Sequence, residues 1–299
     1  MASQPSTPRA NWFKIIRPQT LFASFCPVAV GWLVGHDLLA QTDNRMHLVA
    51  GITLICALAL QVLSNLINDY YDYRRGADSK GRVGFKRALA EGLVTERQML
   101  TACFIALGVA VITGVVLWYV GGWVILVIGL TAILFAWLYT ATDYSLSYLG
   151  IADIFVFLYY GVVATGGTVY LLYRAIDIDI DPQALRMAVY AGAVNGLISM
   201  CVLAINNIRD IDTDRAVGKR TLPVRIGKTG ALAALGVVVA LMPVCAWMAF
   251  GLSLPVLVIV PAAILYGCVL RAQGATYNYC LLGAGVVNLC YVILVALHI

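Results

Sequence analysis

Residues 60–78 read LQVLSNLINDYYDYRRGAD, and this stretch decides what kind of molecule the chain makes. It starts as an apolar run and ends among Asn65, Asn68, Asp69, Asp72 and Asp78. One Asp at mid-bilayer costs about 2.5–3.5 kcal/mol on insertion scales, so carboxylates kept at the end of such a run point to function. Residues 202–222, VLAINNIRDIDTDRAVGKRTL, repeat the pattern with Asn206, Asp210, Asp212 and Asp214. Six of the fifteen acids fall in these two stretches, which concentrates the search there.

Around them the chain is oil. With 62% hydrophobic and 12% charged residues it cannot assemble a water-facing surface, so it reads as an all-α polytopic membrane protein embedded in a lipid bilayer. About nine spans of roughly 20 residues are expected. Their centres fall near Val30, Ala57, Ala110, Leu130, Val162, Asn195, Val238, Val258 and Val287. The polar start, with Pro5 and Pro8, leads into what reads as an uncleaved first span. The eight cysteines lie almost wholly within apolar runs and form no Cys-x-x-Cys pair, so they read as small core residues.

Charge sets the expected orientation. With a cytoplasmic amino terminus, 17 of the 20 Lys and Arg residues lie inside and only Arg45, Arg174 and Arg186 outside. Both acidic clusters then face the cytoplasm. The formal charge of +5 follows from this bias and gives no reason to expect nucleic acid. On the outer side, Asp177, Asp179 and Asp181 alternate with isoleucines, as in an exposed loop. His36, His47 and His298 are expected at that outer face without converging, which argues against zinc.

The two polar stretches share an order: Asn and Asp, then Arg and Gly, then Lys-Arg-x-Leu at Lys86 and Lys219. From Asn68 to Asn206 is 138 positions, and from Lys86 to Lys219 is 133. The chain therefore reads as one domain, residues 1–299, built of two motif-bearing halves, about 12–150 and 151–299, that close one polar site between them.

Residues four apart share a helix face, so Asn206, Asp210 and Asp214 form one stripe of oxygens, and Asn65, Asn68, Asp69 and Asp72 another. Packed carboxylates repel unless neutralised, and hard oxygen donors suit Mg²⁺, which shares its sphere readily with phosphate. Arg82, Lys86, Arg87, Lys219 and Arg220 follow close behind, with the guanidinium forks and ammonium charges that hold a diphosphate. The chain has no Walker-type loop, so a phosphorylated lipid fits better than a nucleoside triphosphate.

Asn68-Asp69-Tyr70-Tyr71-Asp72 followed by Gly76 and Asp78, with Asn206-x3-Asp210-x3-Asp214 in the second half, resembles the UbiA superfamily of intramembrane aromatic prenyltransferases. The resemblance covers nearly the whole chain. It is strongest toward the menaquinone-pathway branch, on Arg17-Pro18-Gln19-Thr20-Leu21, residues 63–70, Tyr139-Thr140, residues 148–157 and Asn206-Asn207-Ile208-Arg209-Asp210. The six-residue step from Asp72 to Asp78 favours that branch, whereas Ala141-Thr142-Asp143 stands where the branch carries Gly-Pro.

The resemblance implies Mg²⁺ held by Asn68, Asp72 and Asp78 on one side and Asn206, Asp210 and Asp214 on the other. It further implies a polyprenyl diphosphate as donor and 1,4-dihydroxy-2-naphthoate as acceptor, with loss of the acceptor's carboxyl group. Asp72 and Asp210 are then catalytic. Tyr139 either steadies the allylic cation or anchors the interface. Asn65, Asp69, Asp153 and Asp212 stand as supporting or acceptor-contacting residues; for Asp153 a helix cap is the alternative.

Three other functions compete. A 4-hydroxybenzoate or other aromatic-acceptor prenyltransferase would share the diphosphate site. A phosphatidyl-alcohol transferase would need Asp-Gly-x2-Ala-Arg ahead of Gly-x3-Asp-x3-Asp, and neither string occurs. A divalent-cation transporter would place its acids at the midplane of broken helices, not at one interface among lysines and arginines.

Overall fold

The structure is a computed structural model that describes residues 11–41, 43–76, 87–139 and 145–299. Among these residues the regular elements are all helical: α1 (Trp12–Ile15), α2 (Pro18–Leu39), α3 (Asn44–Arg74), α4 (Glu96–Leu138), α5 (Leu146–Leu149), α6 (Ala152–Phe157), α7 (Ala164–Ala175), α8 (Pro182–Arg209), α9 (Ile211–Ala216), α10 (Leu222–Phe250), α11 (Ile259–Arg271) and α12 (Tyr277–His298). A π-helical turn, Leu158–Val163, joins α6 to α7, and a 3₁₀ turn, Leu254–Val258, leads into α11.

Among the described residues eight helical stretches are long and apolar enough to cross a membrane. One of them, α4, has 43 residues and would measure about 65 Å if straight, twice the roughly 30 Å of a hydrocarbon core. It breaks at Gly122 (φ 66°, ψ −156°), a conformation open only to glycine, and so supplies two of the expected nine spans. A matching corner stands at Gly251 (φ 69°, ψ −165°), between α10 and the turn before α11. Trp118, Tyr119 and Trp123 surround the first corner with their rings exposed, as in an interfacial belt.

The core centres on α8, whose Ala188, Ala191, Val194, Ile198 and Cys201 are buried at helical spacing. A methyl group added to Gly161 would lie 2.5 Å from the backbone of Gly196, so the π-helical turn rests backbone to backbone on α8. All eight cysteines are free; Cys26, Cys201 and Cys280 are buried, while Cys268 is exposed.

Helix direction sorts the polar ends. The acids of α3 and α8 stand at one end of the bundle, and the Gly122 and Gly251 corners at the other. At that far end Asp177 pairs with Arg45 (3.3 Å), Asp179 with Arg174 (2.8 Å), and Asp181 caps α8 by accepting from the Gln183 and Ala184 amides (2.8 and 2.9 Å). One expectation needs correction. The α2–α3 hairpin stacks the rings of His36 and His47 at 6.1 Å, with Trp32 Nε1 donating to His47 Nδ1 at 3.3 Å. His298 stays apart, against Phe250.

Candidate active site

The last turns of α3 carry Asn68 and Asp72 onto the wall of a cavity of about 420 Å³. Opposite, Asn206, Asp210 and Asp214 line the same cavity. The second stripe is not one continuous helix as the spacing suggests: α8 ends at Arg209, Asp210 sits at the break (φ −97°, ψ 13°), and α9 restarts at Ile211. The break re-aims the chain while keeping three oxygen-bearing side chains on the cavity.

Three cations knit the acids together. Lys219 Nζ lies 3.7 Å from Asp72 Oδ1 and 3.9 Å from Asp214 Oδ1, so one ammonium spans both clusters. Arg87 reaches Asp72 at 3.2 Å and Asp69 at 3.4 Å; both carboxylates are buried, and such charges need partners of this kind. Arg209 grips its neighbour Asp210 through two parallel contacts of 2.7 Å, the bidentate geometry that favours arginine over lysine.

Asp69 faces away from the cavity lining, toward Arg17 (3.5 Å), Arg87 and the Ala88 amide (3.2 Å), and so holds the basic side chains rather than a ligand. Asn65 donates to Thr20 Oγ1 at 2.8 Å and to the Ile16 carbonyl at 3.2 Å, tying α3 to the start of α2. Tyr139, at the end of α4, lines the cavity beside Phe135, Phe155 and Tyr159. Leu117, Ile125 and Leu171 close its deep end with apolar surface.

Several expected site residues lie elsewhere. Asp212 has a 92% exposed side chain and only a 4.0 Å approach to Arg215, because α9 turns it outward. Arg220 is exposed and engages the chain through its backbone, its amide donating to the Tyr148 carbonyl. Asp153 occupies the first turn of α6 off the cavity lining, while Phe155 and Val156 face in. Asp78, Arg82 and Lys86 lie outside the described residues.

Two contributors escaped the sequence reading. Arg17 stands at the cavity mouth, and its position before Pro18 at a helix start was the available signal. Gln61 accepts from Ser24 (3.4 Å) and donates to Asn65 (3.4 Å), continuing the polar face of α3 inward at four-residue spacing. A larger apolar groove of about 800 Å³, lined by Ile55, Val62, Ile105 and Val109, runs along the outside of α3 and α4. It lacks the acids, which gather in the cavity between the two polar stretches.

Among the described residues no three His, Cys, Asp or Glu side chains form a metal-holding group by themselves. The wider donor set nevertheless fits Mg²⁺. Asn68, Asp72, Asn206, Asp210 and Asp214 present hard oxygens to one space, and buried Asp72 Oδ1 accepts no hydrogen bond.

A bundle of membrane-crossing helices around a cavity whose wall is apolar and whose mouth carries acids and cations defines an integral membrane protein. This chain belongs to the UbiA prenyltransferase family, whose model matches residues 25–279, and is accordingly a prenyltransferase. A 1,4-dihydroxy-2-naphthoate octaprenyltransferase of Mycobacterium tuberculosis is 34% identical over 251 residues, covering 81% of this chain and 82% of its own. The Escherichia coli protein of the same name is 32% identical over 241 residues, 77% of this chain and 73% of its own. A UbiA homolog from Archaeoglobus fulgidus, solved bound to DMAPP and Mg²⁺, shares the fold with a TM-score of 0.64 at 17% identity, over 95% of this chain and 97% of its own.

Proposed function

We propose that this protein transfers a polyprenyl group from polyprenyl diphosphate to 1,4-dihydroxy-2-naphthoate, with Mg²⁺ and with loss of the acceptor's carboxyl group as CO₂, giving diphosphate and demethylmenaquinol, the reduced form of demethylmenaquinone, for menaquinone synthesis. The observation that carries it is the convergence of Asp72, Asp214 and Lys219, which joins the two polar stretches at the mouth of an apolar cavity. The naphthoate octaprenyltransferases at 28–34% identity support the choice of acceptor. The archaeal homologs solved with DMAPP or GPP and Mg²⁺ support the choice of donor.

In this mechanism Asn68 and Asp72 on one side, and Asn206, Asp210 and Asp214 on the other, would hold the metal, and Asp78 is proposed as a further ligand from the same stretch as Asn68 and Asp72. Mg²⁺ held there would neutralise negative charge on the departing diphosphate. Lys219, Arg87 and Arg209 add fixed positive charge at the same place, worth more here than in water because the surroundings are apolar. Phe135, Phe155 and Tyr159 exclude water beside the allylic carbon, so a ring carbon of the acceptor captures it instead. Tyr139 stands at the junction of charged mouth and apolar wall, where it orients the reacting end of the donor.

The site opens on the cytoplasmic side of a cell membrane in this reading, with the amino terminus inside, on the strength of the 17-to-three distribution of basic residues. The two halves of the single domain descend from a repeat, a reading supported by the like conformations of Gly122 and Gly251. The test is an assay of purified protein with Mg²⁺, a polyprenyl diphosphate and either 1,4-dihydroxy-2-naphthoate or 4-hydroxybenzoate. Prenylated, decarboxylated naphthol is expected. Turnover of 4-hydroxybenzoate alone overturns the acceptor assignment, and no diphosphate release with either acceptor overturns the reaction.

A further inference from the structure

Two polar side chains deep in the cavity play no part in the diphosphate site. Ser199 on α8 and Asn288 on α12 line the cavity at 3% and 1% exposure. Neither Ser199 Oγ nor Asn288 Oδ1 has a hydrogen-bond partner. A buried polar atom left so costs about 1–3 kcal/mol, so packing alone would favour an apolar residue at either place.

Helical register sets the two on facing helices, both toward the acidic end, with Ser199 about 7–8 Å nearer to it. The Tyr291 hydroxyl donates to the Ala191 carbonyl at 3.0 Å and fixes α12 against the antiparallel α8. Asn288 lies one turn from Tyr291 toward the acidic end, and Ser199 lies two turns from Ala191 in the same direction. On α8, Ser199 and Asn206 belong to one cavity-facing stripe, seven residues and about 10 Å apart. On α12, Leu281, Gly285 and Asn288 form the facing stripe.

We infer that Ser199 and Asn288 form a neutral hydrogen-bonding station for the acceptor, holding the ring hydroxyl remote from its carboxyl group. The inference rests on the naphthoate reading above and adds the residues that select the acceptor. The chemistry suits the place. A hydroxyl group both donates and accepts, as do Ser and Asn side chains, and no charge need enter the bilayer interior. The roughly 10 Å from Asn206 to Ser199 accommodates the reacting bond and a bicyclic ring laid along the helix. A prenyl chain has no polar atom to offer these side chains, so its tail belongs in the arm closed by Leu117, Ile125 and Leu171.

A site built to hydrogen-bond a hydroxyl discriminates against a substrate that lacks it, because its own groups are then left unpaired. The test compares wild type with Ser199→Ala and Asn288→Leu, using 1,4-dihydroxy-2-naphthoate and 1-hydroxy-2-naphthoate as acceptors. Each variant is expected to raise KM for the dihydroxy acceptor about 5- to 10-fold, to leave KM for the prenyl diphosphate unchanged, and to narrow the preference between acceptors by the same factor. The ring-activating effect of the second hydroxyl is common to all three proteins and cancels in that comparison. Unchanged acceptor KM and preference in folded variants overturn the inference, as does an equal loss toward both substrates. If wild type itself leaves the naphthoate untouched, it is the acceptor assignment that fails.

Discussion

Lys219 and Asp72 come from opposite halves of the chain and meet at 3.7 Å, with Asp214 at 3.9 Å on the other side of the same ammonium. A lysine so placed holds the two acidic sets at a fixed separation and leaves a positive charge at the cavity mouth. Lys219→Met is therefore expected to raise KM for the prenyl diphosphate by about 10- to 100-fold, in keeping with loss of a charge-assisted contact. Steady-state kinetics with the acceptor saturating reads this directly. A KM within twofold of wild type would remove Lys219 from diphosphate binding.

Asp72→Ala and Asp210→Ala are each expected to lower kcat by at least about 100-fold while the protein stays monodisperse in detergent. Each removes oxygens from a different side of the site. Near-normal turnover in either variant would sink the two-sided arrangement.

Chelation supplies an independent check. EDTA should abolish diphosphate release, and added Mg²⁺ should restore it, since the donor set is hard oxygen throughout. Full activity after exhaustive chelation would contradict the role given to the metal.

Asp212→Ala and Arg220→Ala should retain activity within about twofold, because exposed side chains away from such features shift energies by only about 0.5 kcal/mol. A large loss in either would mean that α9 reorganises when substrate binds.

Gly161→Val should act through the fold. Its branched side chain would start 2.5 Å from the backbone of Gly196, a clash that costs roughly 1–3 kcal/mol or more. A lowered melting temperature in detergent, with KM for both substrates little changed in the folded fraction, is the expected outcome.

Much of this was legible in the sequence because the underlying rules are local. Apolar run length gave the spans, and the two centres near Ala110 and Leu130 proved to be the two arms of α4 on either side of Gly122. Side-chain spacing grouped Asn68 with Asp72 and Asn206 with Asp214, and the two groups face each other across one cavity. The failures were of two physical kinds. Spacing arguments assume an unbroken helix, so the stop at Asp210 and the outward turn of Asp212 were hidden from them. Contacts between distant segments leave no local trace, so the grip of Arg87 on Asp69 and Asp72, the meeting of His36 with His47, and the facing pair Ser199 and Asn288 needed the fold.

The glycine corners shape the end of the bundle opposite the acids. Helices that turn back at Gly122 and within Gly251–Ser253 leave little connecting backbone there. A protease or bulky reagent applied to that face would find little to grip except the segments around Asp43 and Asp179. Epitope tags and reporter insertions at the two corners would fall on backbone in a conformation open only to glycine, whereas the Asp177–Asp181 segment offers them room.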